Sequence, residues 1–164
     1  MRRVVVTGIG ALTPIGNNFG QYVEGLKNGI SGAGPITRFD ASLFKVRFAC
    51  ELKQFDIEQF MPRKDARRLD PFAQYAMVVA DEAMQMSGLD PEKIDLDRAG
   101  VIWGTGIGGF ETIEHDISEA ALATGEPRYS PFLIPKLIGD IAPGHISIKY
   151  GFRGFNYGTV SACA

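Results

Sequence analysis

The sequence predicts an α/β fold with a largely parallel sheet. A β-branched run at residues 3–7 and short β-like runs at 99–103 and 156–161 read as buried strands. Stretches of helical spacing lie between them. Glycine clusters follow two of the runs, as turns that feed helices require.

In chain order, the run at 3–7 is all β-branched after Arg3, and Gly8-Ile9-Gly10 is its turn. Asn17 or Asn18 can cap a short helix carrying Tyr22, Val23 and Leu26, which Gly29 ends. Residues 30–62 read as irregular, with Gly32, Gly34, Pro35 and Pro62 as breakers. Phe39, Phe44, Phe48, Phe55 and Phe60 are expected to pin this stretch onto a core. Residues 72–87 form the best helix, because Phe72, Ala76, Val79, Ala80 and Ala83 keep helical spacing and Gly88 stands where a C′ glycine belongs. The second strand runs into Gly104-Thr105-Gly106-Ile107-Gly108-Gly109 and then a helix over about 110–123. Residues 135–150 read as helical, bent or broken by Pro143 and Gly144. No repeat and no low-complexity linker interrupts the pattern.

The 164 residues suit one domain with a sizeable core. A net charge of −2 makes no overall case for nucleic acid or a membrane surface. No apolar run is long enough to span a bilayer, and Val4-Val5-Val6 is too short for the apolar core of a signal peptide. The cysteines, Cys50 and Cys163, do not make a disulfide framework, so a reducing cytoplasm is the expected home and Cys50 reads as structural. No metal and no cofactor is expected.

Cys163 is the candidate nucleophile. It stands between small residues in Ser161-Ala162-Cys163-Ala164, just past a strand, where α/β folds build their sites. Small neighbours let an acyl group approach, and a helix starting there would aim its amides at the sulfur and favour thiolate. That helix would lie past Ala164, so the chain reads as the front part of an enzyme, ending at its nucleophile. The glycine cluster admits a rival reading. Gly104, Gly106 and Gly109 satisfy a dinucleotide-binding pattern between a strand and a helix, although no acidic strand end follows at the expected distance. A third feature is basic. Arg63, Lys64, Arg67 and Arg68 place like charges at i,i+4 spacing if helical, which disfavours the isolated helix and suggests an acidic partner.

Taken together these motifs resemble the N-terminal part of a β-ketoacyl-acyl-carrier-protein synthase of the elongating class. The resemblance covers essentially the whole chain. It rests on the opening strand, the Arg63-Lys64-Asp65-Ala66-Arg67-Arg68-Leu69-Asp70 stretch, the glycine loop, Ser130-Pro131-Phe132, Gly144-His145, Tyr150-Gly151-Phe152-Arg153-Gly154 and the terminal cysteine motif, all in family order. It implies a thiolase-like fold, layered α-β-α-β-α in the full enzyme, of which this chain covers most of the N-terminal half. It implies that Cys163 takes an acyl chain from acyl carrier protein, and that malonyl-carrier protein loses carbon dioxide and attacks that thioester. The backbone N–H of Cys163 would be one oxyanion donor. The other donor, two histidines and a lysine would come from the later half, and His115 and His145 do not match them. His115 reads as a surface residue, and His145 as a structural hydrogen-bonding residue.

By the same resemblance Ile107 gates the acyl pocket and Phe132 and Leu133 help line it, although all three also fit plain core. Arg63, Lys64, Arg67, Arg68 and Arg128 would dock the acidic carrier protein. A homodimer with acyl pockets near its interface is implied. Phe155, Pro143 and Leu133 depart from the family's usual residues, which leaves chain length open and admits a polyketide- or polyene-type ketosynthase. A non-catalytic synthase subunit is a further alternative. These 164 residues alone are expected to be inactive, and not to fold stably without the helix after Cys163.

Overall fold

The computed structural model describes residues 3–163. Its elements run α1 (Phe19–Lys27), β1 (Gly34–Pro35), β2 (Phe48–Ala49), α2 (Arg63–Ala66), α3 (Pro71–Ser87), β3 (Val101–Thr105), α4 (Phe110–Leu122), α5 (Leu133–Leu137), α6 (Ile141–Tyr150) and β4 (Asn156–Val160), with short 3₁₀ turns at Ile57–Gln59, Pro91–Lys93 and Leu96–Arg98. Contacts group the chain into two units, Met1–Asp56 with Val78–Gly88 and Ile57–Met77 with Leu89–Ala164. α3 contributes one end to each.

In the first unit α1 starts where an asparagine can cap it. The Asn18 side chain accepts the Gln21 N–H, and Gly29 closes the helix at φ +61°. The Glu82 carboxylate on α3 accepts the backbone N–H of Ala11 at 2.8 Å and of Phe19 at 2.7 Å. β1 and β2 form a minimal antiparallel pair within the stretch expected to be irregular. Two expectations fail here. Residues 3–7 are not a strand, and Val4, Val5 and Val6 are exposed, because no neighbouring strand offers them hydrogen bonds among the described residues. Phe39, Phe44, Phe48 and Phe60 are also exposed; Phe39 and Phe44 meet each other edge to face, with centroids 5.6 Å apart. Cys50, read as structural, is exposed as well.

The second unit holds the parallel pair. β3 and β4 run side by side from Val101 opposite Asn156 to Thr105 opposite Val160. The connection between them includes α4, α5 and α6, so this is the expected α/β crossover. β3 begins and ends later than 99–103, and every residue of β4 is exposed rather than buried. The expected break at Pro143 and Gly144 lies earlier. α5 ends at Leu137 and α6 starts at Ile141, leaving Pro143 in the first turn, where a missing N–H costs nothing. Among the described residues, no helix is long and apolar enough to cross a membrane.

Candidate active site at the strand ends

All nine candidate site residues fall in the second unit. The parallel register brings the C-terminal ends of β3 and β4 together, so the chain leaving β4 toward Cys163 lies beside the glycine loop leaving β3. The Ser161 N–H donates to the Thr105 carbonyl at 3.4 Å, which joins the two segments directly. Cys163 is exposed with a free thiol. Ala164, which closes its motif, lies outside the described residues, as do Met1 and Arg2.

The glycine loop is fixed from both sides. Thr105 Oγ1 accepts the Gly108 N–H at 3.2 Å, and the Leu137 carbonyl accepts the Gly109 N–H at 2.9 Å. Gly108 has φ +101°, and a Cβ there would meet the Leu137 oxygen at 2.6 Å. A Cβ on Gly109 would meet the Lys136 oxygen at 2.3 Å. Glycine is therefore needed because α5 presses its carbonyls onto the loop. Those carbonyls, together with Glu111 in the first turn of α4, oppose an anion at this helix start, so the dinucleotide reading loses its physical basis.

Ile107 projects from the loop at 55% exposure, Phe132 is the residue before α5 at 43%, and Leu133, at the start of α5, is half-buried. The three sit on segments that the loop and α5 bring together, but they are more open than plain core would be. Of the departures from the family pattern, Pro143 is fully buried, and Phe155 is exposed and stacked on Tyr157 with centroids 6.0 Å apart.

The basic stretch is only partly helical. α2 lasts one turn, and Arg67 and Arg68 follow it in a tightening turn that ends at the buried Leu69 and Asp70. The four cations are therefore not carried on one continuous helix face: Arg63 and Arg67 share a cleft, and Arg68 faces a different neighbour. Arg63 pairs with Glu58 at 3.3 Å, Arg67 lines a cleft of about 400 Å³ with Arg63 and Lys136, and Arg68 lies over the Phe132 ring. Lys64 is exposed. Arg128 lines a neighbouring cleft, and His115 borders both. His115 is at the surface as expected, with Asp116 at 3.3 Å and Glu119 at 3.6 Å. His145 is half-buried in α6, and its imidazole, expected to be a hydrogen-bonding group, has no hydrogen-bond partner among the described residues; burial holds it below the usual range. Among the described residues, no group of three His, Cys, Asp or Glu side chains is placed to hold a metal ion.

One residue with a strong structural hold was not singled out from the sequence. Asp70 is 3% exposed, and its carboxylate accepts the Phe72 N–H at 3.1 Å and both the N–H and the hydroxyl of Thr112, at 2.9 and 2.7 Å. The Asp70-Pro71 pair was the available signal, since Asp at the cap with Pro at the first helical position marks a helix start.

This α/β crossover, with a glycine loop and the segment leading to a free thiol leaving adjacent parallel strand ends, is shared with ketosynthases of the thiolase-like class. Solved structures agree: the ishigamide ketosynthase/chain length factor matches with a TM-score of 0.85 and 29% identity over 97% of this chain and 40% of its own. A type II polyketide ketosynthase bound to its acyl-carrier protein matches with a TM-score of 0.77 and 25% identity, over 99% and 42%. The chain belongs to the β-ketoacyl synthase N-terminal domain family, whose model matches residues 1–164. It is 46% identical over 163 residues to the 3-oxoacyl-[acyl-carrier-protein] synthase 2 proteins of a Synechocystis species and of Staphylococcus aureus. The match spans 99% of this chain but 39% of each of those relatives.

Proposed function

We propose that this sequence serves a decarboxylating condensing enzyme of fatty acid elongation, an acyltransferase whose nucleophile is Cys163. The observation that carries this reading is the exposed Cys163 thiol on the segment tied, through Ser161 and Thr105, to the Ile107 loop. The Cys163 thiolate attacks the thioester carbonyl of an acyl-carrier protein and releases the carrier's thiol. A malonyl-carrier protein then loses carbon dioxide, and the resulting carbanion attacks the acyl–Cys163 carbonyl. The new carbon–carbon bond expels the Cys163 thiolate and leaves a 3-oxoacyl-carrier protein two carbons longer. The Cys163 N–H supports the oxyanion, Ile107, Phe132 and Leu133 take the acyl chain, and Arg63, Lys64, Arg67, Arg68 and Arg128 dock the carrier.

On this reading residues 1–164 are the N-terminal part of a longer synthase domain, in keeping with the greater length of the curated relatives. The remaining catalytic groups then come from the later half. A homodimer fits the open strand β4, all of whose residues are exposed. The free, exposed Cys50 and Cys163 suit a reducing cytoplasm.

The test is intact-mass analysis of the complete protein before and after incubation with acyl-carrier protein. An acyl adduct mapping to Cys163, and lost in Cys163→Ser, is expected; no adduct, or an adduct elsewhere, overturns the reading. A polyketide-type ketosynthase is a second reading, favoured by the structural likeness to such enzymes and by Phe155 and Pro143. Product chain-length profiling separates the two.

A further inference from the structure

We propose that Asp70 is a positioning residue that couples the seating of a carrier protein on residues 63–68 to the placement of Ile107 at the acyl site. The inference rests on the function proposed above. The basic segment is not a loose flap. Ala66, Leu69 and Asp70 are buried, and Gln74 Nε2 donates to the Ala66 carbonyl at 2.9 Å and the Leu69 carbonyl at 3.2 Å. A displacement of the segment is therefore passed to Asp70 as a rigid step.

Asp70 then splits its carboxylate between two helices. Oδ1 caps the start of α3 through Phe72, and Oδ2 takes both donors of Thr112 in the first turn of α4. Thr112 is 8% exposed, so the clamp works away from water, where charge-assisted bonds are strong and a lost partner is costly. α4 follows Gly109 directly, and Ile107 belongs to the loop that Gly109 closes. Moving Thr112 moves the start of α4, and with it the loop that Thr105 and Leu137 hold.

The two donors of Thr112 make the idea testable without dismantling the fold. Thr112→Val keeps the shape and the backbone bond but removes the hydroxyl donor; Thr112→Ser restores it. Asp70→Asn keeps the size but leaves one acceptor oxygen in place of two, so either Phe72 at the start of α3 or Thr112 at the start of α4 loses its acceptor. Each variant of the complete protein is acylated at Cys163 from acyl-carrier protein and, in parallel, from acyl-pantetheine, which lacks the carrier's protein surface. Folding is followed by circular dichroism. The expected result is a loss of about tenfold in kcat/KM with acyl-carrier protein for Thr112→Val and Asp70→Asn, an unchanged rate with acyl-pantetheine, and wild-type behaviour of Thr112→Ser. Equal losses with both donors, or no loss with either, overturn the coupling and leave Asp70 a structural cap. Failure of the unmodified protein to take an acyl group at Cys163 from either donor overturns the proposed function itself, and the coupling with it.

Discussion

The guanidinium of Arg68 lies over the ring of Phe132, 5.8 Å from its centroid. A residue proposed to meet the carrier protein therefore touches a residue proposed to meet the acyl chain. Stacking on a ring face leaves the edge N–H groups of a guanidinium free to pair with a carboxylate, so Phe132 presents Arg68 ready for an acidic partner.

Phe132→Leu is accordingly expected to weaken carrier recognition although it changes no charge. An exposed cation–π contact contributes about 0.5–1 kcal/mol, so kcat/KM for acyl-carrier protein should fall by roughly two- to fivefold. In an Arg68→Ala background the same substitution should add no further docking loss. A double-mutant cycle in kcat/KM, repeated at low and high salt, checks this. Independent, additive losses at both salt concentrations would remove the contact from the docking step.

Gly109 and Gly106 give a matched pair. A Cβ at Gly109 would sit 2.3 Å from the Lys136 carbonyl oxygen, whereas at Gly106 it would meet nothing within 4 Å. Gly109→Ala must push α4 and α5 apart and is expected to destabilise by roughly 1–3 kcal/mol or more. Gly106→Ala should be near neutral. Urea midpoints of the two variants decide it, and equal midpoints would mean that the α5 carbonyls yield freely.

These contrasts bear on how much the sequence could disclose. α1 and α3 were readable because their ends are local chemistry: Asn18 caps one, and Gly29 and Gly88 sit in the left-handed region just past them. β3 was readable from its apolar run and the glycines that follow. The run at 3–7 was not, because β propensity becomes a strand only when a partner supplies hydrogen bonds, and that partner is never a local property. The break before α6 was misplaced for a related reason. Pro143 looked like a breaker, yet it is harmless in a first turn, and the true interruption is the Ile138-Gly139-Asp140 connection. Of the site, Cys163 and the glycine loop were legible as motifs. The Asp70–Thr112 clamp spans 42 residues and was not.

His145 gives a pH prediction. Its imidazole is held below the ordinary value of 6.5 by burial. The unfolded chain then takes up a proton before the folded one does. The stability linked to His145 is full above the unfolded value, falls as pH drops through it, and levels off below the folded pKa. His145→Gln, neutral throughout, should remove that part of the acid loss. Urea unfolding from roughly pH 7.5 down to pH 5 tests it, with the variant's curve expected to be flatter than the wild type's. Parallel curves would place the titrating group elsewhere.

Glu82 is the first unit's counterpart to Asp70. Its two oxygens divide between separate backbone donors, Oε2 taking Ala11 and Oε1 taking Phe19. One carboxylate thus fixes both the segment after Gly10 and the start of α1, and no neutral side chain of that length can accept twice in the same geometry. Glu82→Ala leaves two amides short of a partner and is expected to cost about 2–4 kcal/mol, given about 1.5–3 for a bond to a charged group and partial rescue by water. Glu82→Gln retains one acceptor oxygen and should lose about half as much. Denaturant unfolding of the complete protein gives both values, and hydrogen exchange at the Ala11 and Phe19 amides locates the effect. If Glu82→Gln costs as much as Glu82→Ala, the charge matters more than the count of bonds; if exchange speeds up at only one amide, the two anchors are independent.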